Sequence, residues 1–197
     1  VRVRALQHLP IERESPLEIT LLQALVRGEK MDWVVQKATE LGVHRIVPIA
    51  TARSVVQLAD DRAEKRLEHW RGVAAAACEQ CGRNQVMAVT PPLTLAQALT
   101  ALQTAQPNKP RWILSLAAGT KPLSAAFEDA KKNAQSLPLE VTVLSGPEGG
   151  LSPSEEAQAL AAGFVPVSLG PRVLRAETAP VAVLSVLGAL TQIHSGV

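Results

Sequence analysis

The chain contains no tyrosine, two phenylalanines and three tryptophans among 197 residues. The exposed aromatic platforms on which single-stranded bases stack are therefore not expected. Two cysteines are too few for a disulfide scaffold and fit a reducing compartment, here taken as the cytoplasm. Charge is nearly balanced, at a formal +2, which permits a nucleic-acid partner without arguing for one. The most apolar stretch, 179–190, is too short to span a bilayer. No signal peptide is visible. The first residues are Val1-Arg2-Val3-Arg4 rather than methionine, so further residues are expected upstream. No G-x-G-x-x-G follows the first strand, and Gly119-Thr120-Lys121 has the wrong order and spacing for a Walker A loop. Cys78 and Cys81 form a single C-x-x-C at the end of a helix, not its start, so thiols packed on the helix are favoured over a metal or redox site.

Hydrophobic residues make up 47% of the chain, enough for a substantial core. Residues 1–9 alternate apolar and polar and read as a half-buried strand. The segment 12–16 reads as a linker ending at Pro16, which disfavours helix just before it. A domain boundary is placed there, with 1–16 outside and 17–197 inside the main domain. From residue 17 onward strands alternate with helices. Strands are expected at 19–26, 45–50, 86–89, 112–116, 141–145 and 164–169. Helices are expected at 28–41, 61–81, 94–103, 122–133, after 152 and over 181–190. Such alternation implies a parallel sheet flanked by helices. Gly42 stops the first helix. Pro166 requires an edge or a bulge. The last helix is apolar almost all round, which suggests a partner subunit's surface as well as its own core.

The informative stretch runs from Val141 to Glu155. An apolar strand ends in Ser145-Gly146-Pro147-Glu148-Gly149-Gly150, and Ser152-Pro153-Ser154-Glu155 then forms a capping box with proline at the first helical position. Gly146, Gly149 and Gly150 permit unusual backbone angles and the close approach of a ligand. About twenty residues on, a second strand leads into Gly170-Pro171-Arg172-Val173-Leu174-Arg175-Ala176-Glu177 and another helix. In an open α/β sheet such loops sit where ligands bind, though two ordinary turns would read the same way. Arg53, in the loop after the second strand, is either a phosphate contact or a solvated arginine.

Gly-Pro-Glu-Gly-Gly-Leu-Ser at 146–152 followed by Leu-Gly-Pro-Arg-Val-Leu-Arg-Ala-Glu-Thr-Ala at 169–179 resembles the SPOUT superfamily of RNA methyltransferases. More narrowly the chain resembles the RsmE family, which methylates N3 of a uridine in small-subunit (16S) ribosomal RNA. The segments 27–31, 36–42, Arg53-Ser54-Val55-Val56 and 77–83 agree with it, so the resemblance covers roughly residues 12–194. It implies a deep C-terminal trefoil knot, a homodimer formed through the C-terminal region, and S-adenosylmethionine held between the knot loops. It further implies an N-terminal PUA-like β-barrel domain for RNA binding, of which residues 1–16 would be the remnant.

Carried onto this chain, the cofactor residues implied are Leu116 and Ala117; Ser145, Gly146, Pro147, Glu148 and Gly149; and Leu169, Gly170, Val173, Leu174, Thr178 and Ala179. The resemblance implies no metal. The cofactor's methyl is already activated, so the protein's task is to align it with a nucleophile. Uridine N3–H is a weak acid, which a positioned base can assist. Arg175 or Arg83 is expected to stabilise the developing uridine anion, and Glu79 or Glu177 to accept the proton or orient an arginine. A helix-start carboxylate favoured by the dipole is the alternative, and the preferred one, for Glu177. Arg53, Arg83 and Arg172 are the candidates for RNA phosphate. Two other functions compete: ribose 2′-O methylation, which needs a base for a far less acidic hydroxyl, and RNA binding without catalysis.

Overall fold

A computed structural model describes residues 4, 6–8, 10–54, 60–105, 107–117, 119–134 and 138–194. The order is β1 (Leu17–Ala24), α1 (Lys30–Glu40), β2 (Arg45–Ala50), α2 (Asp60–Cys81), β3 (Ala88–Val89), β4 (Leu93–Thr94), α3 (Leu95–Ala105), β5 (Arg111–Leu114), β6 (Lys121–Pro122), α4 (Leu123–Asn133), β7 (Leu139–Ser145), α5 (Pro153–Ala161), β8 (Val165–Ser168) and α6 (Thr178–His194). The expected alternation is present, with β4 and β6 as additions too short for any periodic signal. The sheet order is β3-β2-β1-β7-β5-β8-β6, with β4 also on β2, and every pairing is parallel.

Parallel strands are covered on both faces, so they read as continuous apolar runs. Ile19 and Leu21 of β1 join Val141 and Val143 of β7 under α1, α2, α4 and α6. Leu22, Ala24 and Leu144 turn to the opposite face, under α3 and α5. Two prolines sit within strands without orphaning a donor. Ile49 O accepts from Leu25 N on the β1 side, so alternation turns Pro48 outward, opposite the break between β3 and β4. Val167 O accepts from Ser115 N on the β5 side, so Pro166 also faces outward, before β6 begins at Lys121. The expected edge position for Pro166 is thus met locally.

Of residues 1–9, only Arg4 and residues 6–8 fall within the description, and these are exposed and carry no regular structure, so no strand is seen there. The segment expected as a linker is firmly anchored. Glu14 pairs with Arg83 at 2.5 Å and accepts the N–H groups of Asn84 and Gln85, both at 3.0 Å. Arg83 also donates to the carbonyls of Thr39 and Val43, both at 2.9 Å, and so finishes the C-terminal end of α1. Gly42 stops α1 as expected, with φ +81 and its N–H on Thr39 O. Buried Cys78 donates to the carbonyls of Arg83 and Gln85, and burial pushes its thiol upward in pKa, so it serves as a packing group. Among the described residues no helix is long and apolar enough to cross a membrane.

Candidate active site

The carboxyl ends of β5, β7 and β8 open on a cleft of about 660 Å³, a size suited to a nucleoside-bearing cofactor. Its walls are the residues after β5, the loop after β7, the loop after β8 and the start of α1. The first of the two glycine loops supplies Ser145, Gly146, Pro147, Glu148 and Gly149 to the cleft. The second supplies Leu169, Gly170, Val173, Leu174 and, at the helix start, Ala179. Leu116 lies on the third wall. Of the expected cofactor residues only Ala117 and Thr178 are not on the lining, and each is next to a residue that is. Arg172, Arg175 and Glu177 face the same space.

The local sequence explains these positions. The capping box expected at the start of α5 is present: Glu155 N donates to Ser152 Oγ at 3.3 Å, and Ser152 N to Glu155 Oε2 at 2.8 Å. Glu155 Oε1 also accepts the N–H of Ala52 at 2.7 Å, which ties the loop after β2 to the helix start. Burial pushes the Glu155 carboxyl upward, but these hydrogen bonds and the charge of Arg53 hold it below the usual range. Arg53 donates to Gly149 O at 2.9 Å and Leu151 O at 3.2 Å. Its expected phosphate role therefore shares the side chain with a task inside the protein. Its neighbours Val55 and Val56 lie outside the described residues.

The three glycines of the first loop are used differently. Only Gly150 needs a positive φ, of +68. A Cβ on Gly149 would come within 3.2 Å of Arg53 Cβ, and one on Gly146 within 3.4 Å of Leu151 N. Space is therefore tight at Gly149, where Arg53 would have to give, and ordinary at Gly146. In the second loop Gly170 has φ +109 and donates its N–H to Ser168 Oγ at 3.1 Å.

Charge in the cleft centres on a residue that spacing did not single out. Lys30 Nζ lies 3.2 Å from Glu177 Oε2 and 3.7 Å from Glu148 Oε1. Burial pushes the Glu177 carboxyl upward, but its own N–H, Lys30 and the Arg175 charge outweigh this and hold it below the ordinary range. Glu177 thus stays ionised beside Arg175. Glu79 and Arg83 are not brought to this cleft. Glu79 is exposed near the end of α2, and Arg83 is enclosed at the amino ends of the strands by Glu14 and two carbonyls. Neither side chain therefore lines the cleft within this chain.

Residues 13–188 match a family model described as an RNA methyltransferase domain. The ribosomal RNA small subunit methyltransferase E of Bacillus subtilis (strain 168) is 35% identical, over 93% of this chain and 70% of its own length. The chain belongs to the ribosomal RNA small subunit methyltransferase E family. The family's Synechocystis member is 34% identical, over 92% of this chain and 56% of the relative. The chain thus spans little more than half of one curated relative and about two thirds of the other. A crystal structure of the family's Neisseria gonorrhoeae member, bound to S-adenosyl methionine, matches with TM-score 0.76 at 37% identity, over 90% of this chain and 68% of that one.

Proposed function

We propose that the cleft binds S-adenosylmethionine and that the protein transfers its methyl group to N3 of a uridine in small-subunit ribosomal RNA. The observation that carries this reading is the meeting of two glycine loops at the carboxyl ends of β5, β7 and β8, around one cleft of fitting size. The donor set suits the group. Loop backbone at Gly146–Gly149 can meet adenine and ribose, the apolar rim at Leu116 and Val173 is 61% and 79% exposed, and the carboxylates of Glu148 and Glu177 favour a cation. When bound, the cofactor supplies an activated methyl on a sulfonium.

The chain's own residues do the rest. The loops fix the direction of approach. Arg175 places positive charge where the uridine ring becomes anionic as N3 loses its proton. Glu177, held ionised, orients that guanidinium. Arg172 and Arg53 offer contacts to RNA phosphate.

Assembly completes the proposal. Val183, Leu184 and Leu187 of α6 are buried in the chain's own core, whereas Val186 and Ala189 are exposed. A second copy covering that uncovered apolar face would make a homodimer. After β8, at the far flank of the sheet, the chain returns so that α6 packs on α1, α4 and β1. This path supports the trefoil knot. The anchored segment 11–15 would join the domain to a preceding PUA-like RNA-binding unit, and the working place is the cytoplasm.

The test is Arg175→Ala, assayed for cofactor affinity by calorimetry and for transfer to unmodified small-subunit particles. Transfer is expected to fall about a hundredfold, as when one charge-stabilising donor is removed. Affinity should hold within about threefold, since the lost contact is made chiefly in the transition state. Transfer at the parental rate rules out the role given to Arg175. Nucleoside analysis of the product RNA separates N3 from ribose 2′-O methylation.

A further inference from the structure

Lysine is the wrong sign for the first position of a helix, where the dipole is already positive. Lys30 nevertheless opens α1, and Glu29 before it supplies no side-chain cap. The ammonium stands in the cleft wall, reaching Glu177 at 3.2 Å and Glu148 at 3.7 Å. These carboxylates come from different loops, one after β7 and one after β8. Glu148 Oε1 also accepts the N–H of Arg27 at 3.2 Å. Three segments far apart in sequence therefore meet around one nitrogen.

We propose that Lys30 is a positioning residue that clamps the two glycine loops at the separation the cofactor needs. This rests on the reading of the cleft as the S-adenosylmethionine site. A compact ammonium with three donors can serve two carboxylates at once. Without it the two carboxylates face one another, and like charges push their loops apart. The clamp acts on the walls of the cleft, so it bears on any ligand of that shape, charged or neutral.

The experiment measures, on the full chain, affinity for S-adenosylmethionine and for S-adenosylhomocysteine, which has the same frame without the sulfonium charge. Lys30→Met is expected to weaken S-adenosylhomocysteine about tenfold, the size of effect found when one salt-bridge network is uncoupled, and S-adenosylmethionine by less, because the freed carboxylates favour its sulfonium. Lys30→Arg, which keeps the charge, recovers most of the loss. Parental affinity in Lys30→Met overturns the clamp, and so does a change confined to the cationic ligand, which marks a simple charge effect. Glu148→Gln tests the same contact from the other side: adding Lys30→Met to it should cost much less than Lys30→Met alone, and full additivity overturns the clamp. A parent protein that binds neither ligand would instead sink the reading of the cleft.

Discussion

At the amino ends of the strands, the Arg83 side chain is 5% exposed and reaches Glu14 and the carbonyls of Thr39 and Val43. At the carboxyl ends, the Lys30 side chain is 38% exposed and reaches Glu148 and Glu177 beside an open cleft. Both places join a cation to carboxylates from distant segments. The first is closed on itself, and its charges hold the fold. The second is half open, and its charges face whatever enters. An enclosed arginine whose fork of donors reaches one Glu14 oxygen and two carbonyls suits the first setting, and a compact, partly hydrated ammonium suits the second.

The largest effect should come from breaking the closed end. Arg83→Leu leaves the half-buried Glu14 carboxylate without its cation and uncaps two carbonyls, so unfolding free energy should drop by about 2 to 3 kcal/mol in urea titrations. A loss under about 1 kcal/mol would mean that the enclosure is not holding the fold. Acid provides a second, smaller probe. Burial pushes the Glu14 carboxyl upward, but hydrogen bonds from Arg83, Gln85 and Asn84 prevail and hold it below its ordinary range. Its contribution is therefore complete above that ordinary range and is lost as pH falls through the lowered folded value. Glu14→Gln should lower stability near neutrality and flatten the loss of stability on acidification. An unchanged slope in Glu14→Gln would remove Glu14 from the acid response. Least of all, Arg53→Ala should cost under about 0.5 kcal/mol of stability, because the side chain is exposed. Its informative readout is RNA binding against salt: a slope smaller by about one unit marks a phosphate contact, and an unchanged slope leaves only the tie to Gly149 and Leu151.

What could be read along the chain was whatever short-range chemistry dictates. The capping box at Ser152 and Glu155 and the stop at Gly42 depend on neighbours within a turn or two. Both appear in the structure as expected. The glycine loops were legible as loops, and the lining of the cleft follows them closely. Lys30 was not singled out, because it meets Glu177 across 147 residues of chain. Arg83 was expected near the reacting base because it lies in a motif of the right composition. Its partner Glu14, 69 residues away, instead holds it at the opposite end of the sheet. Motif spacing records which residues travel together, and only the strand order decides which end of the sheet they occupy.

That strand order also bears on how the molecule is made. β1 lies inside the sheet between β2 and β7, and pairs with β7 from Leu17 on Leu139 to Gln23 on Ser145. During translation β1 can meet β2 soon after it emerges, but it must wait for more than a hundred further residues before β7, its other neighbour, exists. In the interval the edge that will meet β7 stays unpaired and open to other chains. Assembly of the middle of the sheet is thus a late event, and a nascent polypeptide halted before residue 139 has no means of completing it.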